Sequence, residues 1–287
     1  MSELSRNPAD RTEETFDLHD AAIKKGLFHA FLSGVGEPLV KSIEQLKGIA
    51  DTFRLTLYYT FAGKKRWSQI SNQMFQIGNR SVLFIAWVLG FLGMILIFQS
   101  GIQAQRIIGD LQYLGALFLQ LLIREFAPTI GAMMIATRVG TGIAAEIGSM
   151  VVTEQVDALR MNAAQPIEYL IVPRFIACVV MTVCLTILGV LVAYLAGMFA
   201  AELYFEVNPR TFINMKFVEW QDIVVGLCKA LAYGTAIPVV SGYAGLNAFG
   251  GSEGVGRATT QAVVSSSLAV VFLDFLISGL GYVILPS

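Results

Sequence analysis

FIACVVMTVCLTILGVLVAYLAGMFAA, Phe175 to Ala201, runs for 27 residues without a charge. A helix needs about 20 mostly apolar residues to cross about 30 Å of hydrocarbon, so this stretch can span a bilayer by itself. Composition extends that reading to the whole chain. Of 287 residues, 55% are hydrophobic and 14% charged, with a mean hydropathy of +0.64. Soluble domains carry about 25% charged residues. The chain is a membrane protein.

Working outward, Ser81–Phe98 is uncharged and just long enough to span. Leu111–Thr137 is apolar except for Arg124 and Glu125. Ile223 to about Phe249 carries only Lys229, and Thr260 to about Leu285 only Asp274. The expected fold is therefore an all-α integral membrane protein with five transmembrane helices and its ends on opposite sides. Basic residues orient it. With the N-terminus inside, 15 of the 20 Lys and Arg lie on the cytoplasmic side, 11 of them before Ser81. Three lie outside, and two lie within spans. The expectation is N-in, C-out.

Three regions follow from this: a partly disordered tail over 1–30, amphipathic interfacial helices over 31–80, and a five-span membrane domain over 81–287. The tail mixes acids and bases and lacks the apolar core of a cleaved signal. Leu39, Ile43, Leu46, Ala50, Phe53 and Leu57 recur every three or four residues. Lys41, Glu44, Lys47, Asp51 and Arg54 take the other faces, the pattern of a helix lying in the membrane interface. A second short helix is predicted around Trp67, Ile70, Met74 and Phe75, after the basic turn Lys64–Lys65–Arg66. Cys178, Cys184 and Cys228 sit in apolar stretches with no C-x-x-C pair and read as packing residues, neither disulfide-bonded nor metal-binding.

Between the second and third spans the pattern changes. Gly140, Ala144 and Gly148 form a stripe of small residues four apart, flanked by Thr141, Ala145 and Ser149, suited to close helix packing. Then Val152, Val156 and Leu159 mark one apolar face of a short helix, with Glu154, Gln155, Asp157 and Arg160 on the others. Thr153 is placed to cap it, and Pro166 ends it. About three turns, too short to span, are expected on the cytoplasmic side, either docking a partner or forming a surface loop-helix.

Charges inside spans are costly and find partners. Lys229 and Asp274 differ in depth by roughly 8 Å at 1.5 Å per residue, a gap the lysine stem closes, so an intramembrane ion pair is predicted. Arg124 and Glu125 are adjacent and point about 100° apart on a helix, which predicts two different neighbours. Pro128 should kink the segment beside them. A lining role toward a ligand and a structural ion network are both open for this pair.

RVGTGIAAEIGSMVVTEQVDALRMNAAQPIEYLIVPR (Arg138–Arg174) resembles the signature of the MlaE/YrbE family, the permease subunits of Mce-type ABC lipid transporters. EGVGRATTQAVV (Glu253–Val264) with the following LDF (Leu273–Phe275) agrees independently, as do IGNRSV (Ile77–Val82), Gln99 and REFAPTIGAMM (Arg124–Met134). Phe126 and Ala127 stand where the family has Leu and Gly, and Gln261 where it often has a basic residue. The resemblance implies that the short helix is a coupling helix, with Glu154, Gln155, Asp157 and Arg160 as its contacts to a cytoplasmic ABC ATPase. It implies that Gln99, Arg124 and Glu125 line a lipid cavity between two copies of the chain. It further implies a homodimer, an Mce-domain protein on the periplasmic side, phospholipid or a related lipid as cargo, and a bacterial inner-membrane location. A small regulatory subunit on the ATPase is left open.

No G-x-x-x-x-G-K-S/T loop occurs, so no phosphate cradle of that kind is present, and ATP with Mg is expected on a separate ATPase subunit. No cofactor, metal or nucleic acid is expected on this chain, nor catalysis. His19 and His29 precede all spans, and nucleophile and metal motifs are missing. Gly250–Thr260 reads as a tight cytoplasmic turn before the last span. The rival readings are a secondary lipid transporter or channel, which should show internal repeats, and a membrane-embedded lipid-modifying enzyme.

Overall fold

The computed structural model describes residues 40, 42–63, 66–107, 111, 113–214 and 216–284. Two units are distinguished, Met1–Asp51 and Thr52–Ser287. In the first, the described residues 40 and 42–51 are helical, with Ile43 and Leu46 exposed. The tail predicted over 1–30, together with Leu39, Lys41 and the turn residues Lys64 and Lys65, lies outside the described residues.

The second unit begins with helix α1, residues 52–62. Its apolar Phe53 and Leu57 are exposed, whereas Thr52 and Thr56 are buried. Thr56 returns its hydroxyl proton to the Thr52 carbonyl at 2.7 Å, which is how a hydroxyl is satisfied where water is absent. Turning small polar residues inward and large apolar ones outward suits a helix that lies against lipid.

Five helices are long and apolar enough to cross a membrane. Of the four connections between them, the first and third lie partly outside the described residues. We label them α2 (Trp67–Ile107), α3 (Leu114–Val152), α5 (Ile167–Phe205), α7 (Trp220–Leu246) and α8 (Gly251–Ile284). Two short helices lie in the connections, α4 (Gln155–Met161) between α3 and α5, and α6 (Pro209–Phe212) between α5 and α7. All-helical architecture with five spans agrees with the sequence.

The separate helix predicted around Trp67–Phe75 is instead the first part of α2, which is 41 residues long. Ile70, Ile77, Ser81, Ile85, Leu89, Gly93, Ile97 and Gly101 are all buried, one nearly unbroken stripe with no proline to interrupt it. The stripe packs on α5. A Cβ at Gly93 would strike the Ala193 carbonyl, and one at Gly189 would strike Leu89. Lipid tails are as apolar as leucine, so such close approach, rather than hydrophobic burial, holds spans together.

The small-residue stripe of α3 packs against α7 and α8 in the same way: Gly148 faces Ala248, just past the end of α7, and Ala144 clusters with Ala244 of α7 and Ala262 of α8. α7 is the central helix, with 56% of its apolar window buried; the corresponding figure for α8 is 11%. Cys178 is buried, while Cys184 and Cys228 are exposed, and none is disulfide-bonded.

Two backbone features were hidden from periodicity. α3 carries π-helical turns at Leu122–Phe126 and Ala136–Gly140, and α5 opens with one at Ile167–Ile171. Two of these come just before Pro128 and Pro173. A proline removes an N–H and crowds the carbonyl four residues back, and a wider turn relieves both. The predicted turn over Gly250–Thr260 is narrower than expected. Gly250 and Gly251 adopt φ of 86° and 71°, open to glycine at little cost, and from there α8 is helical, with Arg257 paired to Glu253 one turn earlier at 2.7 Å.

Candidate functional site

The π turn of α3 carries Arg124 and Glu125, and both reach α7. Arg124 Nη1 lies 3.2 Å from Asp222 Oδ1. Glu125 Oε2 lies 2.5 Å from Lys229 Nζ. The expectation of two different neighbours is corrected here. Asp222 and Lys229 are seven residues apart, two turns on one face of α7, and long side chains leaving a widened turn meet both.

Lys229 is fully buried and bridges two carboxylates, with Asp274 Oδ1 of α8 at 2.8 Å on its other side. Asp274 Oδ1 also accepts from Tyr233 Oη at 2.7 Å and Thr129 Oγ1 at 3.1 Å. Ser278 of α8 donates to Glu125 at 3.3 Å. One ammonium thus ties α3, α7 and α8 at a single depth. A buried lysine without partners would cost several kcal/mol in desolvation, and here two carboxylates meet its ammonium.

Arg124 has a parallel arrangement at the start of α7. Asp222, 2% exposed, accepts from Arg124, from Gln120 Nε2 at 3.2 Å and from the Glu219 backbone N–H at 3.2 Å. The last contact is half of a capping box with Glu219, so Asp222 both starts α7 and fixes Arg124. Lys229 is hidden, but Glu125, Asp274 and Arg124 keep 32%, 25% and 23% of their side-chain surface open. The network is load-sharing inside and partly accessible at its edge, able to hold the helices and still meet a polar group.

Gln99 stands exposed on α2, and no hydrogen bond joins it to Arg124 or Glu125 within the chain. Missing from the sequence reading were Asp222, Tyr233, Thr129, Ser278 and Gln120. A signal existed for two of them: Asp222 and Tyr233 lie at i−7 and i+4 from Lys229, on its face of the helix. Starting the span at Ile223 put Asp222 outside by one residue.

The second candidate element is α4. Its Val156 is 2% exposed, with Val152 and Leu159 half-buried, while Glu154, Gln155, Asp157 and Arg160 are all exposed. The helix has seven residues rather than three turns, and Thr153 does not cap it. The Thr153 hydroxyl donates back to the Ser149 carbonyl at 2.8 Å and finishes α3. Glu154 occupies the cap position with φ 60° and makes no side-chain cap bond. Ala163, just past the other end, has φ 55°. Left-handed backbone at a non-glycine residue costs about 1 kcal/mol or more, so α4 is held out by two sharp reversals. Asp157 and Arg160 pair along its open side at 3.0 Å. The helix therefore presents a polar face outward, away from Val156.

Among the described residues, no group of His, Cys, Asp or Glu could hold a metal ion. The model of the family described as permease MlaE matches residues 70–280, all of α3 to α7 and most of α2 and α8. A probable ABC transporter permease protein of Synechocystis is 39% identical over 212 residues, 72% of this chain and 80% of its own. A probable ABC transporter permease protein of Rickettsia bellii is 35% identical over 241 residues, 83% and 90% of the two chains. The intermembrane phospholipid transport system permease protein MlaE of Haemophilus influenzae is 32% identical over 223 residues, 76% and 84%. With five spans, a charge network across three of them and an outward polar connection, the chain is a multi-pass ABC transporter permease, and it belongs to the MlaE family.

Proposed function

We propose that this chain is the membrane half of an ATP-driven phospholipid transporter, oriented N-in and C-out in a bacterial inner membrane. The observation that carries the proposal is the geometry of α4. It is pinned through Val156 and leaves Glu154, Gln155, Asp157 and Arg160 facing away from the chain. A relative of this chain is named for intermembrane phospholipid transport, which supports the cargo class.

In this reading each α4 sits in a cleft of a cytoplasmic ATPase, which binds ATP and Mg. A second copy of the chain covers α8, whose apolar window is only 11% buried and whose Leu268, Phe272 and Phe275 are exposed. The open edges of Arg124 and Glu125, with Gln99, line a lipid cavity between the copies. Glu125 is tied to α7 and α8 through Lys229 and Ser278, so any shift of α3 driven through α4 changes how that edge meets a headgroup. An Mce-domain protein takes or delivers lipid on the periplasmic side.

The test is reconstitution of the chain with its ATPase in vesicles carrying a fluorescent phospholipid. Lipid movement should require ATP and should be lost in the Asp157→Lys/Arg160→Glu variant while the permease remains folded. Movement without any nucleotide or ATPase would replace this reading with that of a secondary transporter or channel.

A further inference from the structure

On the α4 side of the molecule, α2 and α3 enclose a cavity of about 290 Å³ whose polar lining is Gln73, Gln76, Arg80, Ser81, Arg138 and Glu146. The described residues contain three buried side-chain polar atoms without a hydrogen-bond partner: Ser81 Oγ, Arg138 Nη1 and Arg174 Nε. The first two belong to this lining. The third belongs to the arginine that holds one oxygen of Glu146, Oε1, at 2.8 Å, so part of the negative charge on the wall is already countered. Ser81 is 1% exposed. Buried donors are nearly always satisfied, and here Arg138 Nη1 and Ser81 Oγ line the cavity without a partner, with the exposed Arg80 beside them.

The polar cavity does not stand alone. Arg80 and Arg138 also border a hollow of about 660 Å³ with Leu83, Phe84, Trp87 and Thr137. Trp87 then borders an apolar hollow of about 290 Å³ with Gly90, Phe91 and Met94. The groove therefore changes from cationic to apolar along one face of α2. From Arg80 to Gly90 is about 15 Å along the helix, the half-thickness of a hydrocarbon core of about 30 Å. Its length is that of one leaflet.

We infer that this groove binds a glycerophospholipid of the leaflet on the α4 side, its phosphate on Arg80, Arg138 and Ser81 and one acyl chain along Leu83, Phe84 and Trp87. Guanidinium groups suit phosphate because their donors match its oxygens in pairs. The site is separate from the Arg124–Glu125 network and would hold lipid before it reaches a cavity between two copies. It rests on the proposed function for the order of events and for which leaflet this is, but the binding itself does not.

The experiment uses the purified full chain in uncharged detergent with phosphatidylglycerol carrying a photoreactive group on one acyl chain, and the labelled peptides are mapped by mass. Labelling should concentrate on residues 83–94. It should fall about tenfold in Arg80→Gln/Arg138→Gln, the loss expected for charge-assisted contacts. Gly142→Leu gives a second route that keeps both charges. Gly142 lines the cavity, and a Cβ there meets nothing within 4 Å, so the longer side chain should fill the pocket and also depress labelling. Label on the exposed Ile187 and Leu191 of α5 reports general lipid contact and should not change.

Equal labelling by a diacylglycerol probe, or labelling of 83–94 indifferent to all these substitutions, would overturn the site as ordinary lipid contact. Displacement of the label by millimolar inorganic phosphate would overturn it in favour of a free-anion pocket. No ATPase or nucleotide is present, so failure of ATP-driven transport leaves this result standing, and failure of charge-dependent labelling leaves the transport reading standing.

Discussion

Lys229 and Arg160 are both cations close to carboxylates, yet the chain uses them in opposite ways. Lys229 is fully buried, and its ammonium is used by Glu125 and Asp274. Arg160 and its partner Asp157 each keep 62% of their side-chain surface open. Inside the spans a charge is tolerated only if the chain itself satisfies it, so its partners are internal and its role is to tie helices. On the α4 connection water satisfies the charge, so it stays free to be traded for a partner. The contrast separates residues that tie helices together from residues left open to solvent.

The largest effect should come from breaking the buried side. Lys229→Ala leaves two carboxylates facing each other in the membrane, a change of the class that costs about 3–5 kcal/mol. It should show as a large drop in the thermal unfolding midpoint in detergent. Neutralising the whole cluster, Lys229→Met/Glu125→Gln/Asp274→Asn, should recover most of that stability. If the single variant is as stable as wild type, the network is not the clamp described here.

Next is Arg124→Gln. Asp222 keeps Gln120 and the Glu219 N–H, so only one contact is lost, about 1–3 kcal/mol. Thermal unfolding would check it, and a loss equal to that of Lys229→Ala would mean that the two halves of the network act as one unit.

The exposed side should respond differently. Asp157→Lys/Arg160→Glu should change stability by no more than about 0.5 kcal/mol yet abolish co-purification of the ATPase. A destabilised protein that still binds the ATPase would reverse the comparison.

Smallest are two backbone tests. Ala163→Gly should raise stability by about 0.5–1 kcal/mol, because its φ of 55° suits glycine. Thr153→Ala should cost less than the roughly 1 kcal/mol of a lost N-cap, because Thr153 finishes α3 and does not start α4.

Much of the fold was legible because membrane spans announce themselves. Phe175–Ala201 and Ser81–Phe98 have no charge, and a stretch of that length has few other destinations. The short helix before Pro166 was legible for the complementary reason, a break in that pattern. Details that depend on neighbours were not. Asp222 was lost because the span was begun one residue past it, at Ile223, and nothing local reveals the arginine across from it. Arg124 and Glu125 were assigned to different neighbours by helical geometry, and the π turn that changes that geometry leaves no mark except Pro128 after it. The helix predicted around Trp67 merges into α2 because the buried stripe continues through it, and a stripe is defined by what it packs against.

The sequence by itself determined that this chain lives in a membrane, how many times it crosses, where its charges interrupt the crossings, and which family it resembles. These follow from transfer energies and residue order, which are local. Only the tertiary structure decided that one lysine serves two carboxylates, that Arg124 and Glu125 share a helix, and that Ser81 and Arg138 are left without an acceptor. In a bilayer a polar group has no solvent to fall back on, so its meaning is set by which other helix is beside it, and that is a property of the packing.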